Sequence, residues 1–379
     1  MASNSLYADI GVGVFATESE GVETGCFLDS CSDFIVTEEL QERIIHLVRR
    51  AGGGQHVLCT LFKTGIDTLR AIRDVERRLR VKVTGYAGLK DASAITIQSI
   101  TVKGSMPRIA WFEWGWIRKE GFTPQPLMRG MIEYNRFTLR IRGERDRLEN
   151  ALDVLRELER KGYIPNYYGH QRFGAERPYN HELGIILLRK GEEALARELR
   201  RLGRRGWWET FFLKGKKNRE VLAALELLAG SVQSYVFNKC LTKLLVHQGN
   251  RPSKELLLKA GVLPGKDLSK IGSRAWVSKE HYKCVEEETL NLGVNPEEMM
   301  VAGKPLRASL RPLFTRLQNL AYKLCPKKNV LGATFKLGSG SYASIVIREI
   351  FKKDEEWARK KCAPPVIRVP RSNCCSGGP

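Results

Sequence analysis

The chain has 379 residues, 42% of them hydrophobic. That is enough for two domains, or one large domain with an insertion, around a sizeable core, and it excludes global disorder. Lys and Arg number 63 against 42 Asp and Glu, a net charge of +21, and this surplus is spread along the chain, which favours a nucleic-acid partner over a membrane surface or an acidic protein.

No apolar run approaches the roughly 18 residues that cross a bilayer. The opening Met1-Ala2-Ser3-Asn4-Ser5 has no basic region followed by an apolar stretch, so it does not read as a secretory signal. A soluble cytoplasmic protein with no membrane partner is expected.

In chain order, Val36 to Arg50 contains a short helical pattern (Leu40, Ile44, Leu47, Val48) halted by Gly52-Gly53-Gly54. Val57 to Phe62 reads as a strand. Asp67 can cap a helix with Leu69, Ile72, Val75 and Leu79 on one face. Ile95 to Val102 and Trp111 to Trp116 look extended, and Phe137 to Arg142 alternates cleanly between apolar and polar residues. Leu148, Leu152, Leu155 and Leu158 then mark an amphipathic helix. The first 175 or so residues are thus mixed α and β, without the strand–helix alternation of a doubly wound fold.

Beyond about residue 180 the pattern turns helical. Glu192 to Arg205 is a charged, Arg-rich helix, and Val221 to Leu245 is a long one with Val221, Leu225, Leu228, Val232 and Tyr235 at apolar positions. Strand character returns at Thr334 to Lys336 and at Ser341 to Ile347. A catalytic domain split in sequence by an inserted one is the simplest organisation. The final stretch, Cys362 to Pro379, contains Pro364-Pro365, and its end, Ser376-Gly377-Gly378-Pro379, is expected to be disordered.

Nine cysteines stand at 26, 31, 59, 240, 284, 325, 362, 374 and 375. None forms a C-x-x-C pair and no two His show H-x-x-x-H spacing, so no zinc site is expected. Most should be small core residues or exposed thiols, although Cys26 and Cys31 are close enough in sequence to bridge.

Four segments could carry chemistry. Tyr86-Ala87-Gly88-Leu89-Lys90-Asp91 would present Asp91 beside a strand, with Lys90 favouring its ionised form; by itself, an Asp in a glycine-containing turn is more often turn chemistry. Asn166-Tyr167-Tyr168-Gly169-His170-Gln171-Arg172-Phe173-Gly174 offers aromatics that can stack on a base, an amide that can read a base edge and an Arg that can meet phosphate. The bland reading is a space-filling loop, and His170 alone is weak evidence of acid–base work. Gly338-Ser339-Gly340-Ser341-Tyr342-Ala343-Ser344 could cradle phosphate but lacks a P-loop ending. Ser32 to Glu38 reads as an ordinary strand leading to a helix.

The combination and its order carry a resemblance. Asp33-Phe34-x-Val36, Lys63-Thr64-Gly65-x-Asp67-Thr68, the Tyr86 to Asp91 segment, Asn135-x-Phe137, the Asn166 to Gly174 segment and Gly340-Ser341-Tyr342-Ala343 follow one another. This resembles the TruD family of tRNA pseudouridine synthases over nearly the whole chain. The resemblance implies an α+β fold: a pseudouridine synthase catalytic domain, with a mixed, largely antiparallel sheet and flanking helices, interrupted by an inserted α/β domain. The parts expected are 1–177 and 329–361 for the catalytic domain, 178–328 for the insertion, and 362–379 for a tail.

By the same resemblance Asp91 is the catalytic residue, Tyr168 contacts the target base and Asn166 is the nearby amide. Phe34 matches an aromatic near the active site, while Lys63 and Arg348 fall on family motif positions. Several family members carry a Lys five residues before the Asp-Phe pair, where this chain has Leu28, so Lys90, Arg172 and Arg348 become candidates to balance Asp91. The reaction implied is conversion of a tRNA uridine, uridine 13 in the family, to pseudouridine, without a cofactor or an obligate protein partner. The base must leave its stack, and Lys and Arg elsewhere would bind phosphates. The main rival is a catalytically weak RNA-binding protein with the same fold. A methyltransferase, suggested only by Gly11-Val12-Gly13, lacks the helix and acidic partner it would need.

Overall fold

The computed structural model describes residues 6–22, 27–50, 53–90, 92–174, 179–203, 206–216, 218–352, 355–358 and 360–365. Its elements are, in chain order, β1 (Phe34–Leu40), α1 (Glu42–Arg50), β2 (His56–Thr64), α2 (Thr68–Leu79), β3 (Lys82–Tyr86), β4 (Ile95–Lys103), β5 (Ile109–Phe112), β6 (Gly115–Thr123), β7 (Ile132–Arg142) and α3 (Arg145–Lys161). There follow β8 (Tyr163–Pro165), α4 (Asn180–Arg201), α5 (Trp207–Leu213), α6 (Arg219–His247), β9 (Ala260–Leu263), α7 (Leu268–Gly272) and α8 (Lys279–Asn291). The remainder are β10 (Met300–Val301), β11 (Lys304–Pro305), β12 (Ser309–Pro312), β13 (Phe314–Arg316), β14 (Gln318–Cys325), β15 (Val330–Gly338) and α9 (Ala343–Ile350).

Packing divides the chain into two compact units. A sheet unit comprises Val22–Glu159, Leu317–Gly340 and Lys360–Pro379; a helical unit comprises Met1–Gly21, Arg160–Arg316 and Ser341–Arg359. The N-terminal segment joins the helical unit through hydrogen bonds to α6 and α9: Asn238 and Thr242 donate to the carbonyls of Ile10 and Gly11, and Glu349 accepts from the amides of Ala16 and Thr17.

The sheet unit is built on nine strands in the order β14-β15-β7-β1-β4-β2-β6-β5, with β3 also paired to β4. Every pairing is antiparallel except β1 with β4. β1 takes the first half of one edge of β4 (Ile35 opposite Ile95) and β3 takes the second half (Tyr86 opposite Ile100). Successive residues of a strand face opposite sides. Cys59 and Leu61 of β2 therefore pack with Ala71 and Val75 of α2, and Leu58 with Ile44 of α1 on the other face. The mixed, largely antiparallel architecture expected from the sequence is the one found.

Three local expectations change. Val36 to Leu40 is strand, and the helix begins only at Glu42; Val36 and Glu38 are buried in alternation, a period of two hidden inside an apparent helical pattern. Trp111 to Trp116 is two strands of a hairpin, β5 and β6, joined across Glu113-Trp114. Ser341 to Ile347 is not a strand, because α9 starts at Ala343 and all eight of its residues are buried. A short helix buried on every side has no polar face to betray its period, and Ile345-Val346-Ile347 mimics a strand.

In the helical unit, α6 is the central element. α4 lays Leu183, Leu187, Leu195 and Leu199 against Val221, Leu225 and Leu228. Gly184 permits this approach, since a Cβ there would lie 2.2 Å from the Leu228 carbonyl oxygen. By length and a mean hydropathy of 1.2, α6 could cross a membrane, contrary to expectation, yet 61% of its apolar window is buried within the protein. It is a core helix by placement.

Cys31 bonds to Cys362, not to Cys26, which lies outside the described residues; Cys240 of α6 bonds to Cys284 of α8. The expected tail from 362 therefore begins with a tethered stretch. Besides the disulfide, Ala363 bridges to Ser30. Residues 366–379 lie outside the described residues.

Candidate active site

Register alone gathers one group of residues in the sheet unit. Thr96 pairs with both Val36 and Lys63, so Phe34 at the start of β1 and Lys63 near the end of β2 flank the entry into β4, the strand that follows the Asp91 segment. Asp91 itself lies outside the described residues. Its neighbour, residue 90, is held from several sides. The Lys90 amide donates to Thr68 Oγ1 (2.9 Å), and its carbonyl accepts from Lys63 Nζ (3.1 Å) and from the Thr68 amide (3.3 Å) at the start of α2. The Lys90 ammonium pairs with the fully buried Glu38 carboxylate at 2.6 Å.

Lys63 is fully buried, and its ammonium also donates to the Ile66 carbonyl at 2.9 Å. Burying a lysine is costly unless its donors are satisfied, and here β2 ends by aiming one at the backbone beside Asp91. The sequence marks Lys63 as a motif match and not as one of the candidate cations, which are Lys90, Arg172 and Arg348. Leu28 is buried with φ 63°, so its position supplies packing rather than charge.

The Asp-Phe pair fixes the start of β1. Asp33 is buried, closes a capping box with Ser30 and accepts two hydrogen bonds of 2.6 Å from Arg142. Burial, the largest single influence, would raise its pKa, but the Arg142 hydrogen bonds, the Ser30 amide and the charges of Arg142 and Arg140 together outweigh it and hold the carboxyl below its ordinary range. Phe34 next to it is half-buried, stacked on Phe137 with ring centroids 6.0 Å apart.

The helical unit holds the second group. Tyr167 is buried, its hydroxyl against Thr242, whereas the Tyr168 ring is half-buried. Tyr168 is gripped by Asn238 of α6, whose side chain accepts from the Tyr168 amide (2.8 Å) and donates to the Tyr168 carbonyl (3.0 Å). Phe237 meets the ring edge-on and Tyr342 lies tilted beside it, each with its centroid 5.7 Å away. Behind the ring lies Arg311 of β12, with Cζ 3.9 Å from the centroid.

Arg311 also donates from Nε to the Asn166 carbonyl (2.8 Å) and from Nη2 to Asn166 Oδ1 (2.8 Å). The Asn166 amide in turn donates to the Pro312 carbonyl at 3.0 Å. Asn166 is therefore tied to β12 by both ends of its side chain, and it is buried. Neither Arg311 nor Asn238 was legible as a site residue, because each lies far along the chain in a segment without a motif.

The remaining expected residues have other neighbours. Arg172 donates to Ser234 on α6 (3.2 Å). Arg348 is buried, donates to the Val14 carbonyl (2.9 Å) and lies 3.8 Å over the Phe15 ring. His170 is buried against the Tyr7 hydroxyl, and burial lowers its pKa to about 4, which makes it a neutral core histidine at physiological pH. Ser341-Tyr342-Ala343-Ser344 packs against the Asn166 segment: Ser344 Oγ donates to Gln171 Oε1 at 3.0 Å, and a Cβ at Gly169 would lie 2.2 Å from Ser344 Oγ. Among the described residues no three His, Cys, Asp or Glu side chains converge as a metal site requires.

A half-buried aromatic backed by a cation can hold a flat base, and an anchored loop can hold a carboxylate. Comparison with known proteins gives these features a family. The sequence profile of tRNA pseudouridine synthase D (TruD) matches residues 9–200. A protein named "Probable tRNA pseudouridine synthase D" from Methanopyrus kandleri is 29% identical over 81% of this chain and 88% of its own length. One of the same name from Pyrobaculum arsenaticum is 26% identical over 88% and 93%. A crystal structure whose name includes tRNA pseudouridine synthase D (TruD), from Methanosarcina mazei, superposes with a TM-score of 0.63 over 94% of this chain and 100% of its own, at 18% identity, which speaks for the fold. From its sequence and its fold together, the chain belongs to the TruD family of tRNA pseudouridine synthases, a family of isomerases.

Proposed function

We propose that the chain converts a specific uridine of tRNA to pseudouridine, with Asp91 as the catalytic carboxylate. Uridine 13 is the position the family suggests, and the cytoplasm is the proposed location. The observation that carries this reading is the anchoring of residue 90. A buried lysine, the first residue of α2 and a buried ion pair all converge on the residue preceding Asp91. So many groups spent on one loop residue suit a neighbour whose position matters. A net charge of +21 supports a polyanionic substrate.

The isomerisation breaks the N1–C1′ bond, turns the uracil and forms a C5–C1′ bond; C5 loses a proton and N1 gains one. No net redox change occurs. Asp91 acts at the ribose or the base, Tyr168 stacks on the extruded uracil, and Phe34 serves as an aromatic near it. Lys90, Arg172 and Arg348 are committed to Glu38, Ser234 and the Val14–Phe15 segment. We assign the charge beside Asp91 to Lys63, whose ammonium donates to the carbonyl of the preceding residue, Lys90. Residues 1–177 and 329–361 are proposed as the catalytic part and 178–328 as the insertion.

The test is tritium release from tRNA labelled at uridine C5. Wild type should release tritium, and Asp91→Ala should reduce release to background. Equal release by the two would overturn the role of Asp91, and tRNA binding without release by wild type would make the chain a catalytically weak RNA-binding protein. A tRNA with cytidine at position 13 should lose all release if that is the target.

A further inference from the structure

We propose that Arg311 is a positioning residue for the isomerisation, fixing through Tyr168 and Asn166 the surface against which the target base is held. The proposal rests on the reading of Tyr168 as the base-stacking aromatic and goes beyond it. It gives the positioning of the loop to a residue 143 positions downstream of Tyr168, inside the expected insertion.

The ordinary explanation of Arg311 is that a buried cation satisfies loop carbonyls. It does so, with hydrogen bonds to the Asn166 carbonyl and a longer one to the Tyr167 carbonyl at 3.4 Å. Three further observations go beyond that role. The guanidinium lies over the Tyr168 ring at 3.9 Å, the closest of its three aromatic neighbours, with Phe237 at 5.7 Å and Tyr342 at 5.9 Å. Its second contact with Asn166 is to the side-chain oxygen, which sets the orientation of the amide as well as the backbone. Tyr168 is not fully buried although the guanidinium lies over one of its faces.

A planar fork is what this task needs. Arg can stack on a ring while its edge donates to two acceptors, whereas the ammonium of Lys is a point charge that cannot do both. The cation also draws electron density toward its own face of the ring. The opposite face is then better suited to a base that becomes electron-rich as it separates from the ribose. Asn238 holds the backbone of Tyr168, and Arg311 holds its ring.

The experiment uses the full-length protein with an unmodified tRNA transcript labelled at uridine C5, in single-turnover mode, with filter binding and thermal melting as controls. Arg311→Lys should stay folded, bind tRNA within threefold of wild type and react at least thirtyfold more slowly. Tyr168→Leu should also slow the reaction. The double variant should be within threefold of Tyr168→Leu, because an effect that passes through Tyr168 disappears with the ring.

A rate for Arg311→Lys within threefold of wild type overturns the proposal, as does multiplication of the two losses in the double variant. Should Arg311→Lys melt below the assay temperature, Arg311→Gln, which keeps a planar donor, replaces it. If neither variant folds, Arg311 is a structural residue only and the proposal falls. Wild type without release defeats the underlying reading itself, an outcome distinct from any behaviour of the Arg311 variants.

Discussion

At the scale of single residues, charge burial near Asp91 is the main expense. Glu38 has no exposed side-chain surface, accepts from the Ser99 amide and faces Lys90, which is 16% exposed. Such a pair adds little to stability as a whole, but removing one partner strands the other. Lys90→Met should therefore destabilise the fold by about 3 kcal/mol, read as a shift in the urea midpoint. Lys90→Met combined with Glu38→Gln should recover part of that loss. If the double variant is as unstable as the single one, Lys90 contributes something other than charge balance. Sequence made Lys90 visible as the neighbour of Asp91, whereas its partner lay 52 residues away on β1.

At the scale of elements, contacts between segments decide what a motif does. Gly169 has an unstrained φ of −77°, so its role lies in space: a Cβ would press on Ser344 Oγ, Gln171 Oε1 and Tyr342. Gly169→Ala should cost about 1–3 kcal/mol, as overpacking does, and should slow isomerisation by displacing Tyr342 from Tyr168. Adding Ser344→Ala removes the nearest clashing atom and should restore part of both. Unchanged activity in Gly169→Ala would dissociate this contact from function.

Legibility in the sequence followed the same logic. β7 was recoverable because apolar and polar residues alternate strictly, and α2 because Asp67 caps it and its side chain accepts from Arg70. β3 was missed: it is five residues long and contains Gly85, where a Cβ would lie 2.2 Å from the Leu127 carbonyl oxygen. That glycine reads as a loop from sequence but serves a close approach of backbones. The motif residues Asp91, Asn166 and Tyr168 are proposed from their order along the chain. Arg311 and Asn238 were not, since a positioning role is made by tertiary contact and leaves no local pattern.

At the scale of the whole molecule, two features set its stability. Burial lowers the pKa of His170 and of His281 to about 4. An unfolded histidine titrates near 6.5, so as pH falls below that value the unfolded chain takes up protons that the folded one refuses. Stability is therefore full above about pH 6.5 and declines toward pH 4, by about 2 kcal/mol per histidine at pH 5. Melting should occur at a lower temperature at pH 5 than at pH 7.5, and His170→Gln should narrow the difference. A melting temperature unchanged between the two would sink this account. The second feature is the Cys31–Cys362 disulfide, whose ends are 331 residues apart. Closing so long a loop is worth on the order of 5 kcal/mol in the chain-entropy view. Alkylation before reduction should leave Cys31, Cys362, Cys240 and Cys284 unmodified, and Cys362→Ser should lower the urea midpoint.

The position of β15 beside β7 has a consequence for the growing chain. β7 ends at Arg142, and its neighbour on that side begins at Val330. At the usual pace of translation the intervening residues take roughly 10–40 s to emerge, and until then that edge of β7 is without its partner strand. A bare edge invites pairing with other chains, and charged side chains discourage it. Arg136, Arg140 and Arg142 alternate along β7. Charges so placed are of the kind that discourages such pairing during an interval that the finished protein no longer displays.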